Sequence, residues 1–574
     1  MCGIAGVISS TNRDLGPLLR GMLHPMQHRG PDGAGFVIGE TCERSRTLEE
    51  LDLEGKKGTI GLGHVRLAIT GEMSGVQPFR SADGRLSLLH NGEIYNYREL
   101  MDELDDRSSV TTGSDTEVLF RLIEQEYQRD LKATIERVLP KLDGVYALAI
   151  TDQRQAIVAR DRIGIRQLYY YQSDGLVAFA SEKKPLWALA GTGIDVHRIP
   201  PGHFMVLSPG ERQLQTFWSP ENLEVNGSLK ESTEAVAAYG RVIEEAVRKR
   251  VENRDHVGII FSGGIDSVLI AYLVQRLRVP LTCYTAGREG ASDIETARRI
   301  ADEFEMPLRV KTLSLNDIEQ MIPQVISVIE DHTLNQVEVA LPIFASVGMA
   351  QEAGERVILS GQGADELFGG YPWYATIIDR EGYDEFLRRS WEDTFLLYKE
   401  CLEREDKIAM AHSIELRVPF LDPEVIRVAF SIAPDLRIRR GKDSLGKRIH
   451  REYARSIGIP EPIAFRAKQA AQHGANVHTA FEELAQTCGL SQSLLKQADY
   501  DPLKTVGETL GSSSRYGYRY GQQDLWEPLP HVQFYLDSQA ARLGLLPPTS
   551  QFYWDRARRN LNSMGVEIAS GGTT

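Results

Sequence analysis

Two short stretches of this 574-residue chain carry residue types whose spacing could do chemistry. The first is Cys2, directly after Met1. A small second residue permits methionine removal, which leaves Cys2 with both a thiol and a free α-amine. That amine, with an unperturbed pKa of about 8, is a base placed to activate its own thiol. The second is SGGIDS, residues 262–267, between the apolar run Val257–Phe261 and a helical pattern. Its glycines clear side chains from where backbone N–H groups would close on an anion. Ser262 and Ser267 add hydroxyls, and a helix N-terminus adds partial positive charge. Asp266 would repel bare phosphate, so its place here makes sense with a magnesium ion that carries the phosphates. Each stretch also has an ordinary reading: a buried cysteine opening a strand, and a capped strand–turn–helix junction.

The elements that must position these residues fall into two rhythms. Residues 1–208 are β-rich, with strand patterns at 3–9, 59–69, 85–92, 144–152, 155–161 and 175–182. Helical stretches interrupt at 16–28 and at 115–128, the latter opened by Ser114-Asp115 as a cap. This predicts an α+β domain, or two sheets packed in layers. Residues 209–228 are polar and turn-rich, as a linker would be, and a helix is expected from Leu229 to Val251. Strands then alternate with helices at VGIIFSGG, LTCYTAG, PLRVKTLSL and RVILSG, which predicts a doubly wound parallel α/β sheet. In such a sheet ligands bind at the carboxyl ends of the strands, where SGGIDS lies, and this favours the phosphate reading. A mainly helical part follows from 381 to 546, closing a second domain of 229–546, and 547–574 is a C-terminal extension with a frayed tail.

Composition bounds the rest. Lys plus Arg is 65 against 80 Asp plus Glu, a net charge of −15 that argues against a general nucleic-acid binder. The five cysteines include no CxxC pair, which excludes a disulfide framework and a Cys-based zinc site as expectations. The first residues lack a secretory pattern, and no apolar run reaches the roughly 18 residues of a bilayer span. A reducing cytoplasm and no membrane partner are expected.

Further motifs give these stretches company. MCGIAG, HRGPDGAG (28–35), HVRLAI (64–69), NGEIYNY (91–97) and TGSDTE (112–117) together resemble the class II glutamine amidotransferases. That resemblance implies a two-sheet, N-terminal-nucleophile type of fold with Cys2 attacking the side-chain amide of glutamine. It implies an oxyanion hole from Asn91 and the Gly92 N–H, Arg66 on the glutamine α-carboxylate, and Glu93 and Asp115 on its α-ammonium. SGGIDS resembles the pyrophosphate loop of the ATP pyrophosphatases, and LSGQGADELFGGY (359–371) the later motif of their asparagine synthetase branch. The implied ATP contacts are Ile260, Ser262, Gly263, Gly264, Asp266, Ser267, Ala286, Ser360 and Gly361, with Asp266 and Asp365 on magnesium. Cleavage between the α- and β-phosphates is implied, giving AMP and pyrophosphate. Lys468, in FRAKQAAQHG, resembles a lysine that stabilises charge near the adenylate.

The resemblance thus implies glutamine hydrolysis, internal transfer of ammonia, and ATP-dependent amidation of an acceptor carboxylate, aspartate first among the candidates. The implied partners are these small molecules and a second copy of the chain in a homodimer. The alternative is the same two-site chemistry on another acid, as in β-lactam synthetases and natural-product amidations. Two departures bear on the acceptor. Gln362 stands where the family commonly carries a glutamate thought to take a proton from attacking ammonia, a role a neutral amide cannot fill. Aligned on Pro342, Glu338 falls in a stretch where the family bears an arginine. Glu338 is then a relocated base, a grip for a cationic group, or a solvated residue. Gln167 replaces a usual proline, and residues 41–58 are an insertion with no assigned role.

Overall fold

The computed structural model describes residues 2–69, 75–225, 227–441, 445–467, 471–505 and 529–566. The chain forms two compact units, Met1–Arg254 with Gly361–Gly458, and Asp255–Ser360 with Ile459–Thr574.

The first unit is built on two antiparallel sheets. One contains β1 (Cys2–Asp14), β2 (Ala34–Ile38), β3 (Thr41–Ser45), β4 (Lys57–Arg66) and further strands in a seven-stranded order. The other has six strands and includes β5 (Phe79–Arg80), β6 (Ser87–Ile94), β7 (Gly144–Thr151) and β8 (Ala156–Arg160). Side-chain alternation sorts the core into layers. Ile4 and Ile8 of β1 face Leu89, Ala147 and Ala149 of the other sheet. Ala5 and Val7 point the other way, onto Leu19, Met22 and Leu23 of the helix Gly16–Leu23. On the far side, Leu88, Leu148 and Ile150 pack on Leu119 and Ile123 of the helix Asp115–Glu126. Helix, sheet, sheet, helix is the resulting order. Both faces of β1 are therefore buried, which is why residues 2–9 read as a continuous small and apolar run.

Three sequence expectations change in detail. The helix expected over 16–28 ends at Leu23 and continues as a 3-10 turn, His24–Arg29, where Pro25 lacks a backbone donor. The polar run inside the expected linker 209–228 is an edge strand over Glu211–Thr216, paired in register with His203–Ser208. Its side chains are largely exposed, so a strand here needs no apolar alternation. The insertion 41–58 supplies β3 and buries Leu48, Leu51 and Leu53 in the core under the helix Gly16–Leu23. The same unit also holds the helices Ser232–Val251, Tyr383–Glu400, Leu402–Ala411, Pro423–Ser431 and Arg448–Ser456.

The second unit holds a parallel sheet. Val257–Ile260 lies between Leu281–Arg288 and Val357–Leu359, and Leu308–Leu313 forms the outer strand. Crossover helices Ile265–Arg276, Ser292–Glu303, Leu315–Ile329 and Leu334–Glu352 connect them. A capping box between Ser314 and Asp317 starts the third of these. Helix Pro548–Ser563, within the expected extension, packs on Pro530–Arg542 through buried Trp554, whose indole donates to Ser538 Oγ at 3.0 Å. The frayed tail lies outside the described residues beyond 566. Among the described residues, no helix is long and apolar enough to cross a membrane.

Candidate active sites

In the first unit, Cys2 lies on β1 directly opposite Arg66 of β4 and is only 6% exposed. Its strand is pinned by Ser181, whose Oγ accepts from Ile4 N–H at 3.0 Å. The Cys2 nitrogen donates to Asn91 Oδ1 at 2.9 Å. Asn91 is fully buried on β6, and its Nδ2 has no hydrogen-bond partner among the described residues. The Oδ1 contact fixes the amide so that Nδ2 is the end left to donate. Gly92 next to it cannot carry a side chain, because a Cβ would meet Val145 O at 2.1 Å.

Cys2 and Gly92 line one pocket with Arg66, Glu93, Asp115 and His90, and Asn91 is bound to the Cys2 nitrogen beside it. Asp115 stands in the first turn of its helix and accepts from Ile94 N–H at 2.9 Å. The preceding loop is held by Glu117, which accepts from Thr112 N–H at 2.6 Å. Chemically, the pocket offers a nucleophile, amide donors, one guanidinium and two carboxylates. All six glutaminase residues singled out in the sequence therefore converge.

The sequence reading missed what surrounds them. His90 is buried beside Asn91, its Nδ1 2.9 Å from Thr116 Oγ1 and its Nε2 without a partner among the described residues. Burial lowers His90 to about 4, which keeps it neutral. A ladder of buried ion pairs also runs away from the pocket. Glu182 meets Arg29 at 2.9 Å, Arg29 meets Asp406 at 3.0 Å, and Asp406 meets Arg166 at 3.3 Å. Arg166 meets Glu415 at 3.0 Å, Glu415 meets Arg417 at 3.2 Å, and Arg417 meets Glu93 at 2.9 Å. Burial pushes Glu93 up to about 7 despite Arg417, whereas Arg417 and Arg166 pull buried Glu415 down to about 2. The shared guanidinium thus belongs electrostatically to Glu415, and Glu93 is the carboxylate that protonates first. The signal for the ladder was present in SIELRVPF and RIGIR, charges set in apolar runs, but no spacing rule pairs them. Gln167, in the place of the usual proline, accepts from buried Arg160 through Oε1 at 2.6 Å.

In the second unit, SGGIDS turns from the strand Val257–Ile260 into the helix Ile265–Arg276, with Gly264 as its N-cap. Gly263 has φ +71°, and a Cβ there would meet Thr296 Cγ2 at 2.8 Å. The Ser267 hydroxyl donates to Gly264 O at 3.0 Å, so its proton serves the turn, while Ser262 Oγ accepts from Gly264 N–H at 3.3 Å. Ile260 ends the strand, Asp266 is in the first helical turn, and Ala286 lies buried on the adjacent strand. Ser360 follows the strand Val357–Leu359 and is buried. Glu338 is fully buried in the helix Leu334–Glu352, its Oε2 accepting from His478 Nδ1 at 2.7 Å. Hydrogen bonding to Glu338 holds His478 above its usual range. The solvated reading of Glu338 is thereby corrected: the helix is packed on almost every side.

Gly361, Gln362 and Asp365 belong to the first unit. Asp365 pairs with buried Lys447 at 2.8 Å, and the Gln362 amide donates to Glu405. Lys468 lies outside the described residues. Among the described residues there is no cluster of three or more His, Cys, Asp or Glu able to hold a metal. Asp266 in the second unit and Asp365 in the first are each a hard oxygen donor of the kind magnesium takes.

Comparison with known proteins finds two family domains along the chain. Residues 1–222 match the glutamine amidotransferase domain family, and residues 238–385 and 378–537 match asparagine synthase. A putative glutamine-hydrolysing asparagine synthetase of Methanocaldococcus jannaschii is 34% identical over 543 residues, covering 87% of this chain and 98% of that one. An asparagine synthetase of Lotus japonicus is 29% identical over 83% of this chain and 78% of its own length. A probable one of Schizosaccharomyces pombe is 29% identical, over 85% and 87% respectively. With a match to the archaeal protein over nearly its whole length, the chain belongs to the glutamine-hydrolysing asparagine synthetase family.

Proposed function

We propose that the chain is a carbon–nitrogen ligase that hydrolyses glutamine at Cys2 and uses the ammonia to amidate an acceptor carboxylate, aspartate, activated by ATP. The observation that carries this reading is the pairing of the Cys2 nitrogen with Asn91 in a pocket of charges matched to an amino acid. After Met1 is removed, the α-amine takes the thiol proton as sulfur attacks the glutamine amide carbon, and returns it to the departing ammonia. Asn91 Nδ2 and the Gly92 N–H receive the developing oxyanion. Arg66 binds the α-carboxylate, and Glu93 and Asp115 bind the α-ammonium. Water then releases glutamate from the thioester.

Domains 1–208 and 229–546 divide the work: the first supplies ammonia and the second consumes it. The SGGIDS backbone with Ser262, and Ser360 and Gly361, are assigned to ATP. Ile260 and Ala286 are assigned to its nucleoside. Gln362, Glu338 and Lys468 are assigned to the acceptor side of the reaction. Asp266 and Asp365 would be the carboxylates that hold magnesium, which would supply positive charge to the phosphates. The acyl-adenylate is attacked by ammonia, which gives the amide and AMP. The working form is cytoplasmic, and a homodimer belongs to the same reading.

The test is Cys2→Ala. This variant is expected to lose synthesis from glutamine and keep synthesis from ammonium salts, with AMP and pyrophosphate as products. Loss of both in a folded variant, or ADP as the stoichiometric product, overturns the proposal. Intact mass of the purified protein reports whether Met1 is removed.

A further inference from the structure

The Gln362 side chain presents a hydrogen-bond surface whose polarity is set by a neighbour that the reaction scheme does not use. Gln362 follows Leu359 by three residues in the chain and belongs to the first unit. The residue is partly exposed. Its Nε2 donates to Glu405 Oε1, in the helix Leu402–Ala411. Glu405 is 1% exposed. Arg404 Nη2 forms an ion pair with the same carboxylate oxygen at 3.6 Å. A carboxylate has no proton to give and can only accept, so it must face the amide nitrogen and never the amide oxygen. The Gln362 carbonyl is therefore the end turned away from Glu405.

We infer that Glu405 is a positioning residue that locks Gln362 with its carbonyl oxygen as the free end, so that Gln362 accepts a hydrogen bond from a substrate N–H. This rests on the amidating function proposed above. It also answers what a neutral amide does in the place of an acid. The amide takes no proton; it orients an N–H donor, and the proton leaves to another group or to water. Two substrates of the amidation carry such donors, the attacking ammonia and the ammonium group of an amino-acid acceptor. A free amide would spend part of its time with NH2 outward, opposing either donor.

Glu405→Gln removes the constraint, because an amide at 405 satisfies either orientation of Gln362. With ammonium chloride as nitrogen source, this variant is expected to raise the KM for ammonia or for the acceptor about twofold, because an unconstrained amide holds the accepting orientation about half of the time. Which constant moves identifies the donor. The exchanged pair, Gln362→Glu with Glu405→Gln, restores an acceptor oxygen at 362 held by an amide at 405, and is expected to recover the lost KM. Acceptor-dependent pyrophosphate release and thermal melting accompany both, so that a folding defect is separated from lost orientation. Unchanged KM values for both substrates in Glu405→Gln, or no recovery in the exchanged pair when both proteins melt as the parent does, would overturn the inference. If the parent itself releases no pyrophosphate with any acid, the function proposed above fails instead.

Discussion

Replacing Glu93 by glutamine tests the electrostatics of the glutamine pocket most directly. Glu93 is held by Arg417 at 2.9 Å, yet burial raises it from 4.5 to about 7. That displacement corresponds to about 3 kcal/mol of stability. Because the folded value lies above the unfolded one, the contribution is whole below pH 4.5 and is lost as pH rises through about 7. Glutamine at 93 never ionises, so it escapes this loss. Arg417 would not be orphaned, since Glu415 lies at 3.2 Å and the Arg250 carbonyl accepts from it at 2.6 Å. Glu93→Gln is therefore expected to melt no lower than the parent above neutral pH, and to show a flatter stability profile between the two values. Binding moves in the opposite direction. The substrate α-ammonium loses an ionic hydrogen bond of about 1.5–3 kcal/mol, which raises the KM for glutamine about 10- to 150-fold. The assay is glutamate release across pH, with ammonium-driven synthesis as the control. In the parent, kcat/KM for glutamine rises with pH through a limb near 7 as Glu93 ionises, and in Glu93→Gln that limb disappears. A variant with the parent's KM, or one that keeps the limb, refutes the assignment of Glu93.

Gly263→Ala places a Cβ at φ +71° against Thr296, and is expected to cost about 1–3 kcal/mol while abolishing acceptor-dependent pyrophosphate release. Denaturant unfolding and a pyrophosphate assay check the two effects separately. Arg166→Met takes one guanidinium from each of Asp406 and Glu415, which keep Arg29 and Arg417, and is expected to destabilise by about 1–3 kcal/mol. A urea midpoint within error of the parent's would show that the ladder carries no such weight.

Much of the candidate chemistry was legible in local sequence because it is made by local backbone. SGGIDS needs a glycine at φ +71°, and MCGIAG is small because both faces of its strand are buried. TGSDTE places Asp115 in the first turn of a helix that Ser114 caps. Element boundaries were less legible where composition misled. The polar run over Glu211–Thr216 is an edge strand whose exposed face tolerates any hydrophilic residue. The insertion 41–58 scatters its three core leucines without a period, since their loop follows no regular element.

By itself, the sequence determined which groups are chemically able to act: a cysteine beside an amine, a glycine turn beneath a helix, and carboxylates and guanidinium groups in recognisable order. Only the tertiary structure decided what state those groups are in. Glu93 and Glu415 have the same side chain, yet burial and a shared arginine send one up to about 7 and the other down to about 2. Gln362 turns its amide nitrogen to Glu405, forty-three positions along the chain, whose carboxylate accepts from it. Ionisation and hydrogen-bond polarity depend on the burial and charge of neighbours distant in sequence, and those neighbours exist only once the chain has folded.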